Sequence, residues 1–451
     1  MNKGKSIWQE QMKPIEYPRL SRTMKREAVV IGGGLAGILT AYFLQSRGMD
    51  VAVLEADRIG SGQTENTTAK ITIQHGAVYH KLLSWFGKDG AGEYARRNQQ
   101  AIEDYEQIVQ KEKIDCDFKR LPSFLYTIKQ REILRQEERA ARSLGISCKV
   151  KGDTELPIEI AGALEFSDQA QFHPLKFLTA VSRGLEIYER TPVLKVEGNR
   201  IFTPRGGVLA QTIVFASHYP FINRPGYYFM RMHQERSYAA ALENAQPLEG
   251  MYYGIDQDAG WSFRSEQDRL IIGGGNHRTG DMPEEDPYEK LLAASKEFWP
   301  GCRPAACWSA QDCMTADQVP FIGRFSRRTP GWYVATGFNK WGMTHSMAAA
   351  RLLTEEILDQ QDEKESIFSP RRFKWSKEPF SMLRDGAITS KNLFMAWAGA
   401  SPKCPHLGCR LDWNPFEKTW ECQCHGSRFD KDGKLLAGPA QTRLIQKGEK
   451  R

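Results

Sequence analysis

Two sets of residues in this sequence have the types and spacing of chemical sites. One is the pair of boxes Cys404-Pro405-His406-Leu407-Gly408-Cys409 and Cys422-Gln423-Cys424-His425-Gly426-Ser427. The first box carries C-x-H spacing, the second C-x-x-H, and each adds a further cysteine. Thiolates and neutral imidazoles are metal ligands. Two thiolates on one iron and two imidazoles on a second would hold a [2Fe–2S] centre of mixed ligation. The same four side chains would also hold a tetrahedral zinc ion. Zinc has no use for the extra cysteine pair or for the Gly426-Ser427 step. Gly408 and Gly426 leave the loops free to wrap a metal and aim N–H groups at its ligands, and Ser427 can donate its hydroxyl to sulfur.

The other set is Gly32-Gly33-Gly34-Leu35-Ala36-Gly37, a G-x-G-x-x-G run between a strand pattern and a helix pattern. Gly32 permits a tight turn, Gly34 lets a pyrophosphate approach the backbone, and Gly37 lets the helix pack on the strand. Phosphate charge then meets the free N–H groups of the helix N-terminus. Glu55 ends the next strand, where a carboxylate accepts a ribose hydroxyl and repels a 2′-phosphate, which argues against NADP. FAD and NAD both remain open on this unit alone. Gly273-Gly274-Gly275 also follows a strand, but Arg278 stands where a third glycine belongs and no helix pattern follows. A second nucleotide site is therefore not expected.

Hydrophobic periodicity gives the elements that must position these groups. Residues 27–31 read as a buried strand, 35–47 as a helix closed by Gly48, and 51–55 as a second buried strand, together a β-α-β unit. Residues 93–113 and 130–144 read as amphipathic helices, and another helix follows Pro174. Strands are expected near 193–196 and 213–216. Residues 225–285 are strand-rich, with 269–275 the clearest. A strand at 331–337 leads into a turn and then a helix at 343–358 with Ala348-Ala349-Ala350 on its face. Residues 1–26 are polar and basic, the pattern of an arm lying on the surface. Residues 359–390 are polar and linker-like. From 391 on the chain reads as short strands and turns, with a strand at 394–398 leading into the first cysteine-histidine box.

The 451 residues suffice for about three domains or fewer large ones. With 41% hydrophobic and 26% charged residues, a disordered, collagen-like or coiled-coil chain is excluded. The net charge of +7 is spread along the chain without a basic stripe interleaved with aromatics, so nucleic acid is not an expected partner. Residues 28–46 are uncharged and nearly long enough to span a bilayer. The run Gly32-Gly33-Gly34 within them would cost a helix about 1 kcal/mol per glycine, so no transmembrane segment is expected. No secretory signal is recognisable, and the protein is expected to be soluble and cytoplasmic. Nine cysteines are too few for a secreted disulfide scaffold. Cys116, Cys148, Cys302, Cys307 and Cys313 read as buried thiols.

The sequence resembles the FAD-dependent amine and amino-acid oxidase superfamily of the D-amino-acid oxidase type, in its bacterial branch with a C-terminal Rieske [2Fe–2S] domain. The resemblance rests on the glycine loop with Glu55, on Asp317-x-x-Pro320-x-Ile322-Gly323, and on V-A-T-G-F at 334–338 followed by Gly342 and Thr344. Further matches are Thr67-Thr68-Ala69-Lys70-Ile71-Thr72, Gln169-Ala170-Gln171-Phe172-His173-Pro174 and Lys340-Trp341-Gly342-Met343-Thr344. It implies an α/β Rossmann-like FAD-binding domain interleaved with an α+β substrate domain, then a small all-β Rieske domain. After an arm at 1–26, the oxidoreductase domain would span 27–370. Its FAD-binding parts would be about 27–85, 165–220 and 315–360, and its substrate-domain parts about 86–164 and 221–314. A linker at 371–390 and the Rieske domain at 391–451 would follow. The Rieske domain looks shortened, because little chain separates Arg372 from Cys404.

The resemblance also implies roles. Segments 64–75 and 337–344 would flank the isoalloxazine, with Thr68, Lys70, Gly323, Gly337, Gly342, Met343 and Thr344 in the flavin site. The helix N-terminus at 342–344 and the Lys70 charge would stabilise the anionic edge of reduced flavin. Val193 and Ala216 would line the adenosine. Arg264, ahead of the L-I-I-G run at 270–273, would clamp a substrate carboxylate bidentately. His233, Arg236 and Tyr238 read as packed or surface residues of the substrate domain. Cys404 and Cys422 would ligate the first iron, His406 and His425 the second, and Cys409 and Cys424 would form a disulfide. The implied activity is oxidation of a small amine or amino acid by hydride transfer to FAD, with electrons leaving singly through the cluster to an external one-electron carrier of ferredoxin-like type. Two other readings stay open: a redox relay or sensor without turnover, and an oxidase using dioxygen beside a vestigial cluster domain.

Overall fold

The buried run Ala28-Val29-Val30-Ile31 sets the first layer. In the computed structural model, which describes residues 2–10, 12, 15–256, 260–359, 366–372, 378–399 and 401–445, this run ends strand Met24–Ile31 inside an eight-stranded sheet. Strands Gly206–Phe215 and Val51–Leu54 flank it in parallel, and Trp332–Thr336 pairs beyond Gly206–Phe215. A parallel strand covered on both faces has consecutive rather than alternating apolar residues. Helix Leu35–Ser46 packs against this sheet and against helix Gly342–Asp359. Ala348, Ala349 and Ala350 are buried on the latter, small enough to let its neighbours close in.

The turn between strand and helix depends on glycine. Gly32 has φ +116°, and a Cβ there would lie 2.4 Å from the Ala216 carbonyl oxygen. A Cβ at Gly37 would lie 1.9 Å from the Gly32 carbonyl oxygen. Any side chain at either place would push the helix off the strand.

The second layer is a ten-stranded, mostly antiparallel sheet. Its longest strands, Met232–Glu243 and Arg303–Thr315, pair along their full length. Arg269–Arg278, Ser262–Glu266, Met251–Gly254 and Lys119–Thr127 continue it. The N-terminal residues belong to this layer and not to a surface arm as expected from composition. Asn2–Lys3 pairs in parallel with Arg303–Thr315, Ile7 and Trp8 are buried, and Trp8 Nε1 donates to the Thr67 carbonyl at 2.8 Å. An apolar doublet in a polar stretch outweighs the average composition once it finds a core to enter.

Beyond residue 372 the expected linker and strand are replaced from Glu378 by a helix, Glu378–Ala398; residues 373–377 lie outside the described set. Asn392 and Ala396, one turn apart, are both buried, the period of a helix and not of a strand. Four short strands then form an antiparallel sheet: Asp412–Asn414, Thr419–Glu421, Arg428–Asp430 and Leu435–Ala437. The first cysteine-histidine box precedes this sheet, and the second joins its two middle strands.

Candidate active site and metal centre

A cavity of about 820 Å³ lies between the two layers and is lined by both. At one end stand Gly32, Gly34, Glu55, Val193 and Ala216. The helix starting at Leu35 has no side-chain cap from its N-cap residue Gly34, although Thr64 Oγ1 accepts from the Leu35 N–H at 3.1 Å. Glu55 Oε2 accepts from the Gly33 N–H at 2.7 Å, and burial raises its carboxyl above the usual range. A Cβ at Gly34 would meet only Thr64 Oγ1, at 3.5 Å, so the loop leaves an unobstructed cradle beside a helix N-terminus. These residues fit a dinucleotide pyrophosphate and ribose.

The other end carries the reactive groups. Thr68, Lys70, Gly337, Gly342 and Met343 face the cavity there, and Gly342 starts a helix whose N-terminus points the same way. Lys70 Nζ donates to the Tyr252 carbonyl at 2.6 Å and to Ser262 Oγ. Complete burial, with Arg264 adding repulsion, drives its amine well below the usual lysine range. Lys340 and Asp312 also line this end, and sequence reading had assigned neither a role of its own. Lys340 Nζ contacts Glu235 Oε2 at 2.8 Å. Burial disfavours its cation, but Glu235 outweighs burial and raises the amine further. Burial pushes the Asp312 carboxyl up to about 6, with Lys340 pulling the other way. Tyr253 and Trp341, whose ring centroids are 5.1 Å apart, give an aromatic wall.

Several expected site residues lie elsewhere. Arg264 is fully buried away from the cavity. Its guanidinium is consumed by Glu266 and by the carbonyls of Thr68 and Ala69, the latter at 2.8 Å, with the Trp8 ring 5.3 Å away. It ties the N-terminal segment to the sheet, and its donors are aimed at Glu266 and backbone carbonyls rather than into the cavity. Thr344 is turned inward, its Oγ1 donating to the Thr72 carbonyl at 2.8 Å. Gly323 sits against Glu356 and Pro370 and not at the cavity. Gly37 packs behind the glycine loop. Tyr238 does line the cavity.

The cysteine-histidine boxes form a second, separate site. Cys404, Cys422 and His425 are buried, and the His406 and His425 ring centroids lie 4.9 Å apart. Both Nδ1 atoms are buried without a hydrogen-bond partner. Their Nε2 atoms are occupied: His406 Nε2 donates to Asn223 Oδ1 at 2.8 Å, and His425 donates to the Phe229 carbonyl. Burial lowers His406 to about 4 and His425 to about 3, so both rings are neutral, with Nδ1 lone pairs free for a metal. The Cys404 and Cys422 thiols are within hydrogen-bonding contact of each other. Two orphaned imidazole nitrogens from neighbouring rings and two thiols in mutual contact match the donor set of a [2Fe–2S] centre with Cys₂His₂ ligation. The expected Cys409–Cys424 disulfide is not formed: both are free buried thiols. Their sulfurs instead share one space with Cys422, all three Sγ atoms lying within 4.8 Å of one another. Cys116, Cys148, Cys302, Cys307 and Cys313 are buried and form no disulfide. Ser427 Oγ reaches the Cys404 thiol.

The two sites are physically joined. Residues 434–441, in and beyond the last short strand, form part of the cavity wall. Gln234 Nε2 donates to the His425 carbonyl at 2.7 Å and to the Gly438 carbonyl at 2.9 Å, bridging metal loop and cavity wall. Gln311 Nε2 donates to Gly426 O at 2.7 Å and to Gln234 Oε1 at 2.8 Å. No sequence signal marks these amides, because their partners are nearly 200 residues away in one case and over 100 in the other.

Among the described residues no helix is long and apolar enough to cross a membrane. The family model described as DAO, FAD dependent oxidoreductase, matches residues 27–356, and that of the Rieske [2Fe-2S] domain matches residues 363–447. YhfW of Bacillus subtilis (strain 168), which carries the name of a Rieske 2Fe-2S iron-sulfur protein, is 32% identical over 493 aligned positions, covering 98% of this chain and 97% of its own. Among solved structures, glycine oxidase from Geobacillus kaustophilus superposes with a TM-score of 0.64 at 18% identity, over 77% of this chain and 99% of its own. L-proline dehydrogenase from P. horikoshii does so with a TM-score of 0.65 at 19% identity, over 79% and 98%. At those identities the two share the fold with this chain.

Proposed function

The chain belongs to the DAO-type FAD-dependent oxidoreductases and carries a Rieske [2Fe–2S] domain, and on that premise we propose that it oxidises a small amine or amino acid and passes the electrons singly through the cluster to an external acceptor. The observation carrying this reading is the shared wall: residues 434–441 close the flavin cavity, and Gln234 holds them to the His425 loop. When bound, FAD supplies a two-electron hydride acceptor and the cluster a one-electron carrier.

The charges at the reacting end favour an amine over a free carboxylate. Lys340 is already neutralised by Glu235, Lys70 is held toward its neutral form, and Asp312 adds a negative charge above about pH 6. An arriving ammonium is attracted by Asp312, whose carboxylate can take its proton and leave a neutral amine, the form that gives up hydride. Tyr253 and Trp341 present apolar surface to the alkyl part.

The test is anaerobic mixing of reconstituted protein with amines that do or do not carry a carboxylate. Flavin bleaching followed by the EPR signal of a reduced cluster is expected, fastest with amines lacking the acid group. Bleaching without any cluster signal would sink the wired scheme.

A further inference from the structure

The cluster's imidazole edge is turned toward the oxidoreductase domain. Asn223 and the Phe229 carbonyl cap both Nε2 atoms, His425 is buried, and the Phe229 ring stands 5.7 Å from His425 and 6.2 Å from His406. Those capping groups belong to the oxidoreductase domain of the chain. An external carrier must therefore approach from another side.

The cysteine side is covered by helix Glu378–Ala398. Asn392 Nδ2 donates to Gln423 Oε1 at 2.8 Å, between Cys422 and Cys424. The Asn392 carbonyl accepts from the Arg410 N–H at 3.2 Å, next to Cys409. The Thr389 hydroxyl reaches the Cys424 thiol. On its outward face the helix exposes Phe394 (65%) and Trp397 (81%), with Leu393 and Met395 beside them. Leu407, inside the first ligand box, is exposed as well. Between Asp385 and Asp412 the sequence contains Lys391, Lys403 and Arg410; Arg410 pairs with Asp412 at 2.6 Å, which leaves the two lysines as uncompensated charge.

We propose that this helix face is the docking surface of the external one-electron carrier, and that the carrier is an acidic protein. This rests on the electron flow proposed above and locates its exit. An aromatic centre with a charged rim is the usual make-up of a protein–protein hot spot. A cationic rim selects an anionic partner and speeds its encounter. Among the helix's described side chains the exposed large apolar residues fall at 393–397, little more than one helical turn, whereas a helix lying in a membrane surface needs an apolar face along its length. Each docking moves one electron between cluster and carrier; no bond forms or breaks, and two dockings match each two-electron substrate oxidation.

The test uses the full-length holoprotein and a chemically reduced plant-type ferredoxin, an acidic carrier whose electron transfer to a Rieske-type cluster is downhill. Cluster reduction is followed by stopped flow, and the affinity of the two proteins by calorimetry. Phe394→Ser/Trp397→Ser and, separately, Lys391→Glu are expected to lower the second-order rate and the affinity roughly tenfold or more, as loss of hot-spot residues does. Lys391→Glu is also expected to flatten the salt dependence. Visible and EPR spectra show whether each variant has kept its cluster. Rates and affinities within twofold of the native protein would overturn the proposal. So would an unchanged ferredoxin rate in variants that no longer sediment with phosphatidylglycerol vesicles when the native protein does, which would make the face a membrane contact. A native cluster that stays oxidised while amine bleaches the flavin would refute the proposed flow, yet leave this docking measurement standing.

Discussion

Asp312 decides how pH enters the chemistry. Its carboxyl is pushed up to about 6 by burial and faces the cavity beside Lys340. Below that value it is protonated and cannot accept a proton from an ammonium; above it, it can. The rate of flavin bleaching by an amine is therefore expected to rise through about pH 6 and then level off. In Asp312→Asn that limb should vanish and the plateau fall by roughly 10²-fold, the lower range for a lost general base; stopped-flow traces across pH check both. Asn223 does comparable work at the metal. With its Oδ1 accepting from His406 Nε2, the ring is held with Nδ1 unpartnered and open to a metal. Asn223→Leu is expected to lower iron retention under chelator challenge by about 10–100-fold, while Asn223→Asp, which keeps an acceptor, retains most of it. An unchanged iron content in Asn223→Leu would show that the contact orients nothing.

The elements differed in how far they could be read from sequence, and the reason is locality. The strand, glycine turn and helix at 24–46 were legible because each step is enforced by its neighbours: a buried apolar run, Gly32 where a Cβ meets Ala216, and Gly37 where it meets Gly32. The ligand boxes were legible because metal chemistry restricts residue type and spacing. Helix Glu378–Ala398 was read in part as a strand because its Leu-Phe-Met-Ala-Trp-Ala run has no polar spacing to show a period. Arg264 was misplaced because strand position alone does not say which face holds the cavity. The N-terminal segment failed on composition, and its consequence can be measured. Trp8 is fully buried, donates to Thr67 next to the cavity residue Thr68, and covers the Arg264 guanidinium. Trp8→Ala should cost about 3–5 kcal/mol in denaturant unfolding, the usual range for emptying a buried aromatic site. A loss below 1 kcal/mol would mean that the segment only rests on the surface.

At the scale of the whole molecule, the two redox parts are welded rather than tethered. A Cβ at Gly280 would lie 2.5 Å from the Gln423 backbone nitrogen, and one at Gly426 would lie 2.6 Å from Gln234 Cβ, so the parts meet at backbone distance. Fixed spacing suits electron transfer between the cavity and the metal loops better than a swinging domain would. The weld has a charged centre. Arg236, buried in the oxidoreductase domain, contacts Glu417 Oε2 through Nε at 3.1 Å, and Arg428 and Ser309 Oγ reach the same carboxylate at 2.8 Å and 2.6 Å. Burial alone would raise the Glu417 carboxyl, but Arg236 and Arg428 outweigh it and hold it down to about 2. A carboxyl depressed in the folded state stabilises fully above its unfolded value, near 4.3, and loses that contribution as pH falls toward 2. Calorimetry of the native protein should accordingly show one cooperative transition at neutral pH, whose midpoint drops steeply between about pH 4 and 2. Glu417→Gln leaves Arg236 buried without its counter-ion. It should lower stability at pH 7 by about 3–5 kcal/mol and remove this acid-dependent part of the drop. Two separate transitions in the native protein at pH 7 would show that the parts fold independently and that the ion pair is not what joins them.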